Sequence, residues 1–183
     1  MAEEKTLSSK FIFEGRAIRV RVDTVKTPSG RKTTREIVEH GDCVAIVTVD
    51  KNDNVLMVSQ FRKPVERELL EIPAGGIESG EDPEAAVCRE LREEIGYLPK
   101  KVEPLGGFYS SPGYSSEYLY LYLATDLAPS QLYAEDTGEI GLVRVPVSEI
   151  PALISSGKIC DAKSIAGLLI YLFVYRNQTR SAS

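Results

Sequence analysis

The chain has 183 residues, 27 acids against 22 bases for a formal net charge of −5, and 43% hydrophobic residues. That length bounds it at one domain of ordinary size, or one with a small appendage, and the apolar content excludes a wholly disordered chain. The longest apolar runs fall far short of a bilayer span, and the N-terminal MAEEKTLSSK lacks the apolar stretch of a secretory signal.

Residues 11–24, FIFEGRAIRVRVDT, alternate loosely and predict strands with a turn near Glu14-Gly15. Pro28-Ser29-Gly30 marks a turn, and 33–40, TTREIVEH, predict a third strand. Three such strands bury too little to form a core alone, so they are expected to dock, for instance on another subunit. The expected organisation is therefore a strand region over 1–40, a main domain over 41–176 and a tail over 177–183. Val44–Val49 and Val55–Gln60 predict two strands joined by the polar hairpin turn Lys51–Asn54. Pro73-Ala74-Gly75-Gly76 predicts a loop. A helix is expected over 83–95, with Asp82 as N-cap, Pro83 at the first position, Glu84 complementing the dipole and Gly96 past the end. Residues 102–109 and 117–124 predict strands, the second with Tyr118, Tyr120 and Tyr122 on one face and Leu119, Leu121 and Leu123 on the other. A polar loop over 129–139, a strand over 142–147, a short helix over 147–156 and an amphipathic helix over 162–175 complete the chain.

Charge is uneven. Residues 66–96 hold ten acids and three bases, whereas 1–40 hold nine bases and six acids. A nucleic-acid binder would carry a basic stripe; here the concentrated charge is negative and suits a cation. Cys43, Cys88 and Cys160 are odd in number and lack metal-ligand spacing, which fits free thiols in a reducing cytosol. The lone histidine, His40, is expected in a loop.

On the predicted helix, Val87, Leu91 and Ile95 recur at i, i+4, i+8 as a buried stripe with Cys88 alongside. Glu90, Glu93 and Glu94 share another face, where like charges cost a few tenths of a kcal/mol per pair. Arg89 can pair with Glu93, and Arg92 can contribute, without neutralising the cluster. From the helix alone, a hard-cation site and a solvated acidic face fit equally well. The wider spacing separates them: Gly75, five residues, Glu81, seven residues, then Arg89-Glu90-Leu91-Arg92-Glu93-Glu94-Ile95-Gly96-Tyr97. This resembles the Nudix box of the Nudix hydrolases at every fixed position; Tyr97 departs from the aliphatic residue of the generic pattern.

Flanking segments resemble the ADP-ribose pyrophosphatase subfamily: Arg35-Glu36, Gln60–Pro64, Glu71–Gly75, Ser111-Pro112-Gly113 and Gly157–Ser164. The resemblance covers roughly residues 8–176. It implies an α/β Nudix fold, a mixed β-sheet sandwiched between helices, with a small N-terminal antiparallel sheet. It implies hydrolysis of a nucleoside diphosphate linked to another group, with Mg²⁺ or Mn²⁺ bound by Glu90, Glu93, Glu94 and the carbonyl of Ala74. Arg89 would orient the glutamates and Glu81 support it. Arg62 and Glu71 would line the substrate pocket, with Glu117 beside them. Members are homodimers with exchanged N-terminal strands, which would carry Arg35 to the nucleotide end. The catalytic base would come from the acidic loop Ala134–Ile140, where the acids are displaced by one position; Glu139 is favoured, with Asp136 and Glu135 as alternates. The implied reaction splits ADP-ribose into AMP and ribose 5-phosphate. The alternatives are another nucleoside diphosphate sugar as substrate, or a Nudix module that senses ADP-ribose without cleaving it. The intact box weighs against the last.

Overall fold

The β-branched run after Asp42 becomes the centre of the fold. The computed structural model describes residues 3–133 and 140–176, and the described chain divides into two compact units. One comprises the chain up to Asp42 together with Tyr109–Tyr118, the other Cys43–Phe108 with the chain from Leu119 onward.

The first unit is a three-stranded antiparallel sheet of β1 (Lys5–Glu14), β2 (Ile18–Lys26) and β3 (Lys32–His40), in the order β1-β2-β3. Every position of β1 is exposed. Leu7, Phe11, Ile12 and Phe13 are among its exposed apolar side chains. The 109–118 segment is fastened to β3, with Val38 N–H donating to Tyr114 O at 2.7 Å and Ser116 N–H to Val38 O at 3.0 Å. His40, expected in a loop, is the last residue of β3, because its pairing with Ile18 extends the ladder that far.

In the second unit β4 (Cys43–Thr48) is buried at all six positions. Strand alternation sends Cys43, Ala45 and Val47 into one apolar cluster with Ile72, Leu119, Leu121, Leu123 and Leu168. Val44 and Ile46 enter a second cluster with Ala86, Val87, Leu91 and Tyr122. The helix α1 (Pro83–Glu94) therefore covers one face of β4 and α3 (Ala162–Leu169) the other, a helix-sheet-helix sandwich. β4 lies between β7 (Ala74–Gly76), antiparallel, and β9 (Tyr118–Pro129), parallel, with β8 (Tyr97–Tyr109) beyond β9. A second sheet has the order β10-β5-β6, from Gly141–Pro146, Asn54–Arg62 and Arg67–Glu71. The short helix α2 spans Ile150–Ser155, after a 3₁₀ turn at Val147–Glu149.

Four departures from the local reading have physical causes. Residues 73–76, expected as a loop, supply β7, because Ala74, Gly75 and Gly76 pair with Ala45, Val44 and Cys43 and satisfy a buried strand's backbone. β9 runs to Pro129, past the predicted 124: its ladder with β4 ends at Ala124, and its other neighbour, β8, continues beside it. α1 ends at Glu94, with Ile95 at φ −124° donating its N–H to Leu91 O at 3.2 Å and Gly96 at φ +74°. The last helix is α-helical only to Leu169 and continues as a wider π turn over Ile170–Tyr175. Among the described residues no helix is long and apolar enough to cross a membrane.

Candidate active site

The start of α1 is set by local chemistry: Asp82 Oδ1 accepts from Glu84 N–H at 2.9 Å and Pro83 takes the first position. Val87 and Leu91 are fully buried, each worth about 1.5–3 kcal/mol of apolar transfer. That seating fixes the rotation of the helix, so Glu90, Glu93 and Glu94 emerge together on the side of β7. Ala74 N–H donates to Glu94 Oε2 at 3.2 Å. Gly75 is required by proximity: a Cβ there would lie 2.0 Å from the Glu90 carboxyl carbon. Gly75→Ala is expected to expel the Glu90 carboxylate and cost turnover far more than stability. A comparison of kcat and thermal midpoint with the parent protein checks this, and unchanged kcat would refute it.

Arg89 is the hub. Its Nε and Nη2 donate to Glu81 Oε1 and Oε2 at 2.9 and 2.8 Å, a bidentate pair. Nη2 also reaches Gly76 O at 2.8 Å, while Nη1 reaches Glu90 Oε1 at 2.6 Å and Glu93 Oε2 at 3.2 Å. The hydrogen bonds from Arg89 hold Glu81 below its ordinary carboxylate range, and Arg89 is in turn pushed up. Glu90 is pushed up by burial, which outweighs its contact with Arg89. Glu94 is pushed up to about 8, by burial and then by the charge of Glu90. Arg92 makes no such contribution: its Nε donates to Ser130 Oγ at 3.1 Å, and its carbonyl accepts from Leu132 N–H at 3.0 Å.

One guanidinium thus serves three carboxylates, and a fourth, Glu94, has a backbone N–H as its hydrogen-bond donor. The contacts use Oε1 of Glu90 and Oε2 of Glu93 and Glu94. The other oxygen of each is taken by none of the hydrogen bonds among the described residues. An all-oxygen donor set, excess negative charge and a buried carboxyl held off its ordinary ionisation fit a hard divalent cation.

Beside this cluster, Glu71 is 2% exposed and accepts from Arg62 Nε and Nη2 at 2.8 and 2.7 Å. It also accepts from Lys163 Nζ. Burial alone would push Glu71 up; Arg62 and Lys163 outweigh it and hold the carboxyl below its ordinary range. Both Glu71 oxygens are therefore engaged within the protein. Arg35 and Glu117 belong to the first unit. Arg35 donates to both oxygens of Glu4, at 3.0 and 2.5 Å, and the Glu117 carboxylate lies 3.6 Å from His40 Nδ1. Glu139, with Glu135 and Asp136, lies outside the described residues. Lys163 was not singled out by side-chain type; only its place in the Gly157–Ser164 segment pointed to it.

Comparison with known proteins identifies the family. Residues 39–167 match the NUDIX domain, and residues 4–38 the nucleoside diphosphate sugar hydrolase N-terminal domain. The chain is 40% identical over 164 residues to an ADP-ribose pyrophosphatase of Bacillus subtilis (strain 168), covering 88% of this chain and 89% of that one. It is 38% identical over 165 residues to a methanol dehydrogenase activator of Bacillus methanolicus, covering 89% of each. Its fold superposes with a TM-score of 0.87 on a crystal structure of an ADP compounds hydrolase, at 21% identity and covering 99% of this chain and 96% of that one. With well over half of its length inside the NUDIX domain, the chain belongs to the Nudix hydrolase family.

Proposed function

We propose that this protein hydrolyses ADP-ribose at its diphosphate bond, yielding AMP and ribose 5-phosphate, with Mg²⁺ or Mn²⁺ held by Glu90, Glu93, Glu94 and the carbonyl of Ala74. Nudix hydrolases in general depend on a divalent metal. The observation that carries the reading is the carboxylate cluster organised by one arginine against a glycine strand, in a chain 40% identical to an ADP-ribose pyrophosphatase. When bound, the ion screens the diphosphate charge and acidifies a water. Arg89 keeps Glu90 and Glu93 in place, and Glu81 fixes Arg89. Arg62, held by Glu71 through Nε and Nη2, keeps Nη1 for a phosphate oxygen. Glu71 then acts by orienting Arg62 rather than by touching substrate. A regulatory role toward another enzyme has one relative's name behind it, and the intact carboxylate cluster around Arg89 favours hydrolysis.

The test is phosphate release, coupled to a phosphatase, from ADP-ribose, ADP-glucose and GDP-mannose with Mg²⁺. The highest kcat/KM is expected with ADP-ribose. Preference for GDP-mannose would replace the substrate, and no release from any would leave the regulatory role.

We assign the base to Glu139. Glu139→Gln should lower kcat about 10²–10⁴-fold with little change in KM, while Asp136→Asn and Glu135→Gln cost far less. A full-strength Glu139→Gln enzyme would rule the assignment out. We further propose a homodimer in which residues 1–40 exchange between copies, bringing Arg35 to the nucleotide and Glu117 to the same pocket. The exposed Leu7, Phe11, Ile12 and Phe13 of β1 support it, and a single-chain mass by light scattering would refute it. That Cys43, Cys88 and Cys160 form no disulfide among the described residues supports a cytoplasmic setting, which cell fractionation would check.

A further inference from the structure

The Gly157–Ser164 segment has no part in the proposed ligand set, yet three of its last four residues, Asp161, Lys163 and Ser164, are tied to Glu71-Ile72, the end of β6 and the residue after it, just ahead of the strand that carries Ala74 and Gly75. Asp161 caps α3: its Oδ2 accepts from Ser164 N–H at 3.0 Å, from Ser164 Oγ at 2.5 Å and from Lys163 Nζ at 3.1 Å. With its hydroxyl proton given to Asp161, Ser164 Oγ accepts from Ile72 N–H at 2.8 Å. Lys163 Nζ meanwhile bridges Asp161 to Glu71. Two consecutive residues, Glu71 by its side chain and Ile72 by its backbone, are thus gripped by one turn of helix 92 positions away.

The two points of contact are buried. Ser164 is completely buried, and Glu71 almost so. Three residues on, Gly167 lets α3 press directly on the same residue: a Cβ there would lie 3.0 Å from Ile72 Cδ1 and 2.9 Å from Leu121 Cδ1. Immediately downstream, Pro73 O accepts from Ile46 N–H at 2.9 Å, Ala74 N–H holds Glu94, and Gly75 faces Glu90. The ladder to β4 fixes this strand from one side; the α3 turn fixes where it enters.

We infer that Asp161, Lys163 and Ser164 are positioning residues of the hydrolytic site: they clamp Glu71-Ile72 so that Ala74 and Gly75 meet Glu94 and Glu90 in register. The inference rests on the metal-dependent reading above. Groups behind metal ligands typically change affinity or activity 10–100-fold when removed.

The experiment measures Mn²⁺ binding without substrate, from the free-Mn²⁺ electron paramagnetic resonance signal, alongside the thermal midpoint and the Mg²⁺ concentration that half-saturates kcat. Ser164→Ala should weaken Mn²⁺ binding about tenfold and raise the half-saturating Mg²⁺ by a similar factor in folded protein. Ser156→Ala, which removes a hydroxyl bonded among the described residues only to Leu153 O at its own helix end, should leave both unchanged. A merely structural role would lower the thermal midpoint of Ser164→Ala and leave its Mn²⁺ affinity within twofold of the parent, which would overturn the inference. If Ser164→Ala does not fold, Lys163→Met is scored on the same thresholds. A parent protein that neither binds Mn²⁺ nor releases phosphate would instead overturn the functional reading; a variant that matches an active parent overturns only the clamp.

Discussion

Glu94→Gln should leave a folded protein with at least roughly 100-fold less divalent-ion-dependent turnover, because on the proposed ligand set loss of one hard ligand removes about 3 kcal/mol of transition-state charge stabilisation. Parent-like kcat at ordinary Mg²⁺ would remove Glu94 from the ligand set. The same substitution should show a second effect in protein kept metal-free with EDTA. Burial and the charge of Glu90 raise the Glu94 carboxyl from its ordinary 4.5 to about 8. Between those values the unfolded chain has released a proton that the folded chain retains, so folding stability falls as pH rises. The contribution is complete below about 4.5 and is lost by about 8. An uncharged amide cannot titrate, so Glu94→Gln should flatten this part of the thermal midpoint between pH 5 and pH 8 and raise the midpoint at pH 8. Parallel curves for parent and variant would contradict the assignment.

Arg89→Met is expected to be the more damaging change to the fold. It leaves Glu81, Glu90 and Glu93 facing one another without their shared cation, and the Arg89 side chain is only 21% exposed. Removing one partner of a fully buried pair costs about 3–5 kcal/mol; with solvent reaching this one, about 2–3 kcal/mol is expected at pH 7.5. The pH dependence has the opposite sign to that of Glu94. Arg89 holds Glu81 below its ordinary range, so the stability from that pair is present above pH 4.5 and is lost as pH falls through the lowered value. The deficit of Arg89→Met should therefore be greatest near neutrality and shrink in acid. Urea denaturation at pH 7.5 and at the lowest pH where the parent stays folded checks both parts. A deficit below about 0.5 kcal/mol at pH 7.5, as for an exposed pair, would mean the hub is replaceable.

How much of this was legible beforehand depends on the range of the interaction. The α1 helix was legible almost to the residue, since Asp82, Pro83, the Val87-Leu91 stripe and Gly96 all act within one or two turns. The carboxylate face was legible for the same reason: i, i+3, i+4 spacing on a helix fixes which side chains share a side, whatever packs against them. Donor type and charge left a cation site level with a solvated acidic face; the chemistry came from the resemblance of the box spacing, which also singled out Gly75, Glu81 and Arg89.

The rest required the folded chain. Nothing in Arg67–Gly76 announces two short strands, because β6 and β7 exist only through pairing with β5 and β4. Nothing local shows that Glu71 is buried and paired; Arg62 and Lys163, 9 and 92 positions away, converge on it only in the folded chain. Gly75 reads as turn chemistry, whereas the space its missing side chain leaves is filled by the Glu90 carboxylate from a helix 15 residues on. Residue order alone places the helix and its carboxylate side, because caps, periodicity and charge act over a few residues, and the resemblance of the box spacing adds the class of chemistry. Which strand faces that helix, how closely, and what holds it there emerge only in the folded chain, because they depend on backbone pairing and close approach between segments that no local pattern relates.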